Sequence, residues 1–220
     1  MAGQGNTVEM IGHYGSDQTH ALSAWTSTSR SLNPDKIKRI PALIKRLADE
    51  KHHSVFEKSS LHFLACTDVA THIQLLKHRI GVSINGESAR YKELKEDKFY
   101  VPPDWGDDEV LMYTAHMEES MGRYHACLAR LEKAGMDRKR AKESARFYLP
   151  YGNQLVVDVM FNFRSFAHFV GLRYSRHAQK EIRDLTGDML ALVSATGAFD
   201  ETLRAFGFVD ASGAVVEPST

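Results

Sequence analysis

Residues 109–133 constrain the fold more than any other stretch. From Glu109 to Lys133 the apolar side chains Val110, Leu111, Tyr113, Met117, Met121, Tyr124, Leu128 and Leu131 recur at helical spacing, and Gly135 supplies a stop. This is one long amphipathic helix, and its stripe needs cover. With 220 residues, 43% of them apolar, the chain can supply it within a single domain that needs no disulfide or structural metal. We expect one catalytic domain over residues 1–220, with 207–220 a frayed tail.

Shorter signals fill in the rest. Val8–Tyr14 and Leu61–Cys66 read as strands, and Thr19–Ser31 as a helix whose end is crowded with Ser and Thr. Asn33-Pro34 is a cap followed by a first-turn proline, and Pro41 marks the start of the main helix behind it. Asp68–His78 looks helical, and Arg79–Tyr91, rich in Gly and Ser, reads as an ordered loop. Lys92–Asp108 is a second loop, and Asp137 caps a helix that runs to about Phe147. Gly152–Leu172 is apolar and helix-compatible, and Ser175–Phe206 is helical with a break expected near Gly187. Helices dominate beside a few strands, which predicts the α+β class.

Charge and cysteine content narrow the function. Lys+Arg and Asp+Glu are equal at 28 each, so no nucleic-acid partner is expected, although a local basic patch stays open. No apolar run reaches the ~18 residues of a membrane span, and the first residues lack the pattern of a secretory signal. Cys66 and Cys127 sit in apolar surroundings and read as buried, reduced thiols of a cytoplasmic protein. The chain has no CxxC and no HExxH, so no metal site is expected, and it has no GxGxxG, GxxxxGKS or GxSxG.

Three segments stand out chemically. Lys51-His52-His53-Ser54-Val55-Phe56-Glu57 is either a basic helix end or a ligand-holding turn. Gln74–Tyr91 runs a Lys-His-Arg cluster into a Gly/Ser loop that ends at Arg90, either a solvated turn or an anion cradle. Asn162, Arg164 and His168 lie among four phenylalanines, with Arg173 following, so partial burial and either an ion-pair network or a ligand are expected. His125 and His177 read as ordinary histidines.

Together these segments resemble the flavin-dependent thymidylate synthases. The family's HR…SxNxxSxRY reads here as His78-Arg79, then Ser83 to Tyr91; HHSVFE is similar to its HxSxxEH, SARFYLP at 144–150 to its ARxxLP, and NFRSFAHFVGLRYSRHAQKEI to its last motif. The departures are Lys77 for an arginine, one extra residue after Arg79, Gly86 with Glu87 one place late for the usual acid, Lys58 for a histidine, and His168 for an asparagine.

The resemblance implies a helix-rich fold with a central antiparallel sheet, a homotetramer, and reductive methylation of dUMP to dTMP. Methylenetetrahydrofolate would supply the carbon, FAD would carry the hydride, and NADPH would reduce the flavin. It also implies that Gln74, Glu87, Ser88, Arg90, Arg146 and Arg173 contact dUMP, with Arg173 polarising the uracil as the catalytic group. FAD would be held by His52, Ser54, Glu57, Lys77, His78, Arg79, Asn162, Arg164 and His168, with Ser29 a further candidate. Two related activities are alternatives, C5-methylation of UMP and hydroxymethylation; a third is a catalytically silent nucleotide-binding homologue.

Overall fold

The structure, a computed structural model, describes residues 5–218. Its four strands are β1 (Thr7–Tyr14), β2 (Ser60–Asp68), β3 (Val82–Gly86) and β4 (Gln154–Asn162), and they form one antiparallel sheet in the order β1-β2-β4-β3. The helices are α1 (Asp17–Trp25), α2 (Pro34–Lys38), α3 (Ile40–Asp49), α4 (Val69–Leu75), α5 (Asp107–Lys133), α6 (Arg138–Ala145), α7 (Phe163–Arg173), α8 (Lys180–Ala195) and α9 (Asp200–Ala205), with 3₁₀ turns at His53–Glu57 and Arg146–Tyr148. The helix-rich α+β class with a central antiparallel sheet is as expected. Two compact units divide the chain. One takes the N-terminal residues through Thr7, Ala65–Leu76 and Asn85–Val157; the other takes Val8–Leu64, Lys77–Ile84 and the chain from Asp158 onward.

The first unit is organised by α5. Three acids open it (Asp107, Asp108, Glu109), Arg130 and Lys133 lie in its last turn, and each end complements the helix dipole. Met117, Met121, Tyr124 and Leu128 are buried, whereas Leu111, assigned to the stripe, is 72% exposed. Gly135 follows the helix at φ +87°, and Asp137 caps α6 by accepting from the Arg140 N–H at 3.2 Å.

The second unit packs around aromatics. Phe56, Phe63, Phe161, Phe163, Phe166, Phe169 and Phe199 are fully buried, with Phe63 stacked on Phe166 at 5.8 Å between centroids. Truncating one such ring to Ala costs about 3–5 kcal/mol.

Local signals were misread in four places. Helix α1 stops at Trp25 rather than running to Ser31, because the Thr26 and Ser27 hydroxyls donate back to the carbonyls of Leu22 and Ala24 and the chain then turns out to solvent. The expected loop at 79–91 contains β3, where Val82 and Ile84 are half-buried and Ser83 and Asn85 exposed, a strand period inside a Gly/Ser-rich stretch. Residues 152–172 are not one helix: the Val-rich run is β4, and Asn162 starts α7 as its cap. Helix α8 passes through Gly187 without a break and ends before Gly197, at φ +65°. In the tail, Phe208 and Val209 are buried, and residues 219–220 lie outside the described residues. Cys66 and Cys127 are half-buried rather than buried.

A buried polar chain ties α1 to α9. Asp17 accepts from the Glu201 and Thr202 backbone N–H groups at 2.8 and 2.9 Å, and from the Thr202 hydroxyl at 2.6 Å. That hydroxyl then accepts from His20 Nδ1 at 3.0 Å, which leaves Nε2 to accept from Ser59 at 2.8 Å. The ring is fully buried and neutral, and burial pushes its pKa down to about 4 from 6.5. The unfolded chain therefore binds the extra proton first. Stability is full above pH 6.5 and is lost as pH falls toward 4, by about 3 kcal/mol from this ring. Burial raises the Asp17 carboxyl above its ordinary value, so its protonation favours the fold and offsets part of this loss as pH falls toward the ordinary carboxylate range. Denaturant midpoints measured from pH 7 to 4 should show this loss, and His20→Gln should flatten it; an unchanged slope in the variant would refute the assignment.

Candidate functional site

Helix α7 and the residues facing it build the part of the candidate site that holds most of the expected flavin contacts. Asn162 Oδ1 accepts from the Ser165 N–H at 2.9 Å, starting α7 directly after β4. The segment before β3 is stapled to the same place: the Asn162 N–H donates to the Gly81 carbonyl at 3.0 Å, and the Ser165 hydroxyl to the Ile80 carbonyl at 2.7 Å. Gly81 has φ +65°, and a Cβ there would lie 2.3 Å from both Asn162 Nδ2 and Ser165 Oγ, so only glycine fits.

Beside this staple opens a cavity of about 720 Å³ lined by His53, Glu57, Gly81, Asn162, Arg164 and His168, with Ile80, Leu172 and Phe206 as apolar wall. Arg164 Nη1 pairs with Glu57 Oε1 at 2.5 Å, which links α7 to the 3₁₀ turn. A second groove, of about 980 Å³, shares His53 and Arg164 and adds His52 and Ser54. Four of the expected flavin contacts (Glu57, Asn162, Arg164, His168) therefore line one cavity, and His52 and Ser54 line the adjoining groove.

The remaining flavin candidates lie elsewhere. Ser29 lines neither; its hydroxyl bonds Ser31 at 2.9 Å, while Ser27 and Thr28 line the groove. Those two and His53 line the cavities without having been assigned from the sequence, and the Ser/Thr-rich end of α1 was the available signal for the first two. Lys77 and Arg79 are exposed and line neither cavity. The expected partial burial holds for Asn162 and Arg173, whereas Arg164 and His168 are exposed on the face turned away from the phenylalanines.

His78 is buried, its ring edge-on to Phe169 at 4.9 Å. Its Nε2 accepts from Arg173 Nε at 3.0 Å, which requires a neutral ring with the proton on Nδ1. Burial, then the charges of Arg173 and His168, push the His78 pKa down to about 4, so the ring is an acceptor throughout the neutral range. It holds the last-turn arginine of α7 in place.

The other nucleotide candidates belong to the first unit. The Glu87 N–H donates to the Val156 carbonyl at 2.7 Å, and its carboxylate accepts from the Val156 N–H at 3.2 Å and pairs with Lys92 at 2.8 Å. Glu87 thus continues the β3–β4 pairing with its side chain. Ser88 Oγ accepts from the Arg90 N–H at 3.3 Å, and Arg90 Nε pairs with Glu143 at 2.9 Å. Arg146 is exposed at the end of α6, and Gln74 is half-exposed on α4. His125 pairs with Asp97 at 2.8 Å, an ordinary surface contact as expected.

The chain is 30% identical over 198 residues to a flavin-dependent thymidylate synthase of Streptomyces avermitilis, covering 79% of this chain and 77% of that protein. It is 34% identical over 158 residues to one of Mycobacterium avium, covering 67% and 62%. The crystal structure of a UMP/dUMP methylase, PolB of Streptomyces cacaoi bound with 5-Br dUMP, superposes with TM-score 0.77 at 26% identity over 93% of this chain and 96% of that one. The same protein bound with 5-Br UMP gives TM-score 0.75 over 97% and 96%. Residues 9–196 match the family described as thymidylate synthase complementing protein, and the chain belongs to that family, the flavin-dependent thymidylate synthases.

Proposed function

We propose that the protein methylates carbon 5 of dUMP reductively to give dTMP, taking the carbon from methylenetetrahydrofolate and using FAD reduced by NADPH. One observation carries this reading. Helix α7 lines the flavin cavity with Asn162, Arg164 and His168 and ends at Arg173, which neutral His78 holds. Arg164 and Arg173 are about 14 Å apart along the axis of one rigid element.

The donor set fits the cofactor. Arg164 and the histidines suit a diphosphate, Asn162 offers a polar contact, and Ile80, Leu172 and Phe206 suit a flat ring system; the volume lies within the ~300–1,000 Å³ of small-molecule sites. A flavin bound there supplies the hydride that completes the methyl group. Arg173 donates to a uracil oxygen and stabilises the charge that develops on the ring when carbon 5 becomes nucleophilic. Gln74, Glu87 and Ser88 orient the nucleotide, and Arg90 and Arg146 meet its 5′-phosphate. His52, Ser54 and Glu57 complete the flavin contacts, with Lys77, Arg79 and Ser29 at its periphery. The assembly is a homotetramer in the cytoplasm, and the two unpaired cysteines suit a reducing compartment. Among the described residues no helix is long and apolar enough to cross a membrane.

A second reading accepts UMP as well. It is favoured by the Gly86-Glu87 departure and by the likeness to PolB, whose structures hold analogues of both nucleotides. The test is flavin titration followed by product analysis. The protein should bind FAD, dUMP should shift the flavin spectrum, and labelled dUMP should give dTMP only with folate and NADPH. UMP run in parallel reports the second reading, and a hydroxymethyl product formed without NADPH would replace reduction by hydration. Light scattering should give four times the 24.8 kDa chain mass. No FAD binding at high protein concentration, or a monomer, would overturn the assignment.

A further inference from the structure

We propose that the basic groove along α3 binds the γ-glutamyl tail of the folate co-substrate, a flexible chain bearing separate carboxylates. The inference rests on the folate reading above. The groove of about 980 Å³ is lined by Arg39, Arg46 and Lys51 in addition to His52 and Arg164, with no Asp or Glu among its lining residues. Ser27, Thr28 and Ser54 add hydroxyls. Arg39, Arg46 and Lys51 form no ion pair among the described residues, whereas Lys45 on the same helix pairs with Asp49 at 2.8 Å and Arg164 pairs with Glu57. The cation row therefore stays available to a ligand.

Its layout selects the kind of anion. Arg39 and Arg46 are seven residues apart, about 10 Å along the helix, and Lys51 lies just beyond its end. Single charges in a row match one carboxylate per glutamyl unit better than they match a compact diphosphate. None of the three lies in the segments that match the family's motifs, so the flavin reading leaves them unused.

Lys51 gives a second, independent sign. It sits at φ +59°, directly after the Glu50 C-cap of α3, where glycine or asparagine is the low-cost choice. A long cationic side chain held at a strained position points to a use for the charge. The field is felt nearby. Burial chiefly lowers the His53 pKa, and the Arg164 and Lys51 charges lower it further, against a backbone hydrogen bond that raises it.

The test uses the FAD-loaded enzyme and compares the KM for methylenetetrahydrofolate carrying one or five glutamates. Wild type should prefer the pentaglutamate by about tenfold at low salt, the sum of a few exposed pairs, and the preference should shrink as salt is raised. In Arg46→Gln and Lys51→Gly the preference should fall toward one, with kcat, monoglutamate KM and flavin content unchanged. Lys51→Gly relieves backbone strain, so loss of fold does not explain that result. Equal KM values in wild type would overturn the proposal. So would loss of FAD in the variants, which would assign the groove to the dinucleotide's diphosphate. A fluorescein-labelled penta-γ-glutamate separates this claim from the folate reading. It should bind wild type and not a variant combining Arg46→Gln with Lys51→Gly, even if no folate supports methylation, and failure to bind wild type overturns the proposal by itself.

Discussion

Arg173→Ala should lower the rate of nucleotide methylation by about 10²–10³ while leaving the flavin in place, because one charge-stabilising donor in a closed site is worth ~2.7–4 kcal/mol. Arg173 ends α7, is half-buried, and has its Nε turned to His78 at 3.0 Å, so its direction is set before any substrate arrives. Nucleotide affinity should fall too, since the same group meets the ground state. His78→Phe keeps the charge and removes the acceptor. It should cost about 10–100-fold, the worth of one hydrogen bond to a charged group, mostly in kcat. Cys66→Ser and Cys127→Ser should leave the rate nearly unchanged. Burial raises the Cys66 thiol, which leaves it further from a thiolate at neutral pH, and neither cysteine has a motif context. The measurement is dTMP formation by the four variants after flavin content is checked. A folded, flavin-loaded cysteine variant without activity would remove the cysteine-free mechanism, and a fully active Arg173→Ala would remove Arg173 from it.

Gly81→Ala is the substitution expected to do most harm to the fold around the flavin cavity. It meets a left-handed backbone, about 1–2 kcal/mol, and a Cβ 2.3 Å from two side chains that staple α7, about 1–3 kcal/mol more. At about 2–4 °C per kcal/mol for a chain of this size, Tm should fall by about 5–15 °C. Flavin affinity should fall with it, because the displaced groups are Asn162, which lines the cavity, and Ser165, which fixes the segment at its rim. Gly197→Ala is the control, since it has the same φ of +65° and nothing within 4 Å of the added Cβ. Thermal unfolding of both, with a flavin titration, separates backbone strain from the clash. Equal stabilities would show that the staple yields without cost.

The elements read correctly were those with strong local signals. The α5 stripe, the Asn33-Pro34 start of α2, confirmed by the Lys36 N–H bonding Asn33 Oδ1 at 2.9 Å, and the Asp137 cap each follow from a few residues acting on their own backbone. That Glu57 of the 3₁₀ turn and Asn162, Arg164 and His168 at α7 line one cavity was legible for a different reason, since a motif records residue types that act together. The misread stretches were those where local preference is weak or mixed. The segment at 81–91 is rich in small residues that suit a loop, and it becomes β3 because β4 offers it a hydrogen-bonded edge. The run at 154–162 is apolar enough for either state, and pairing in the sheet decides for the strand.

Burial and partnership came only from tertiary structure. His20 reads as one histidine among eleven, yet residues 39 and 182 positions away close a neutral hydrogen-bonded chain around it. His78 reads as part of a motif, and only the fold shows its ring packed on Phe169 and bonded to an arginine 95 residues later. The sequence by itself determined residue types and helical periodicity, which act over a few residues. The tertiary structure decided strand pairing, tautomer and ion-pair choice, because each depends on a partner that sequence separation does not reveal.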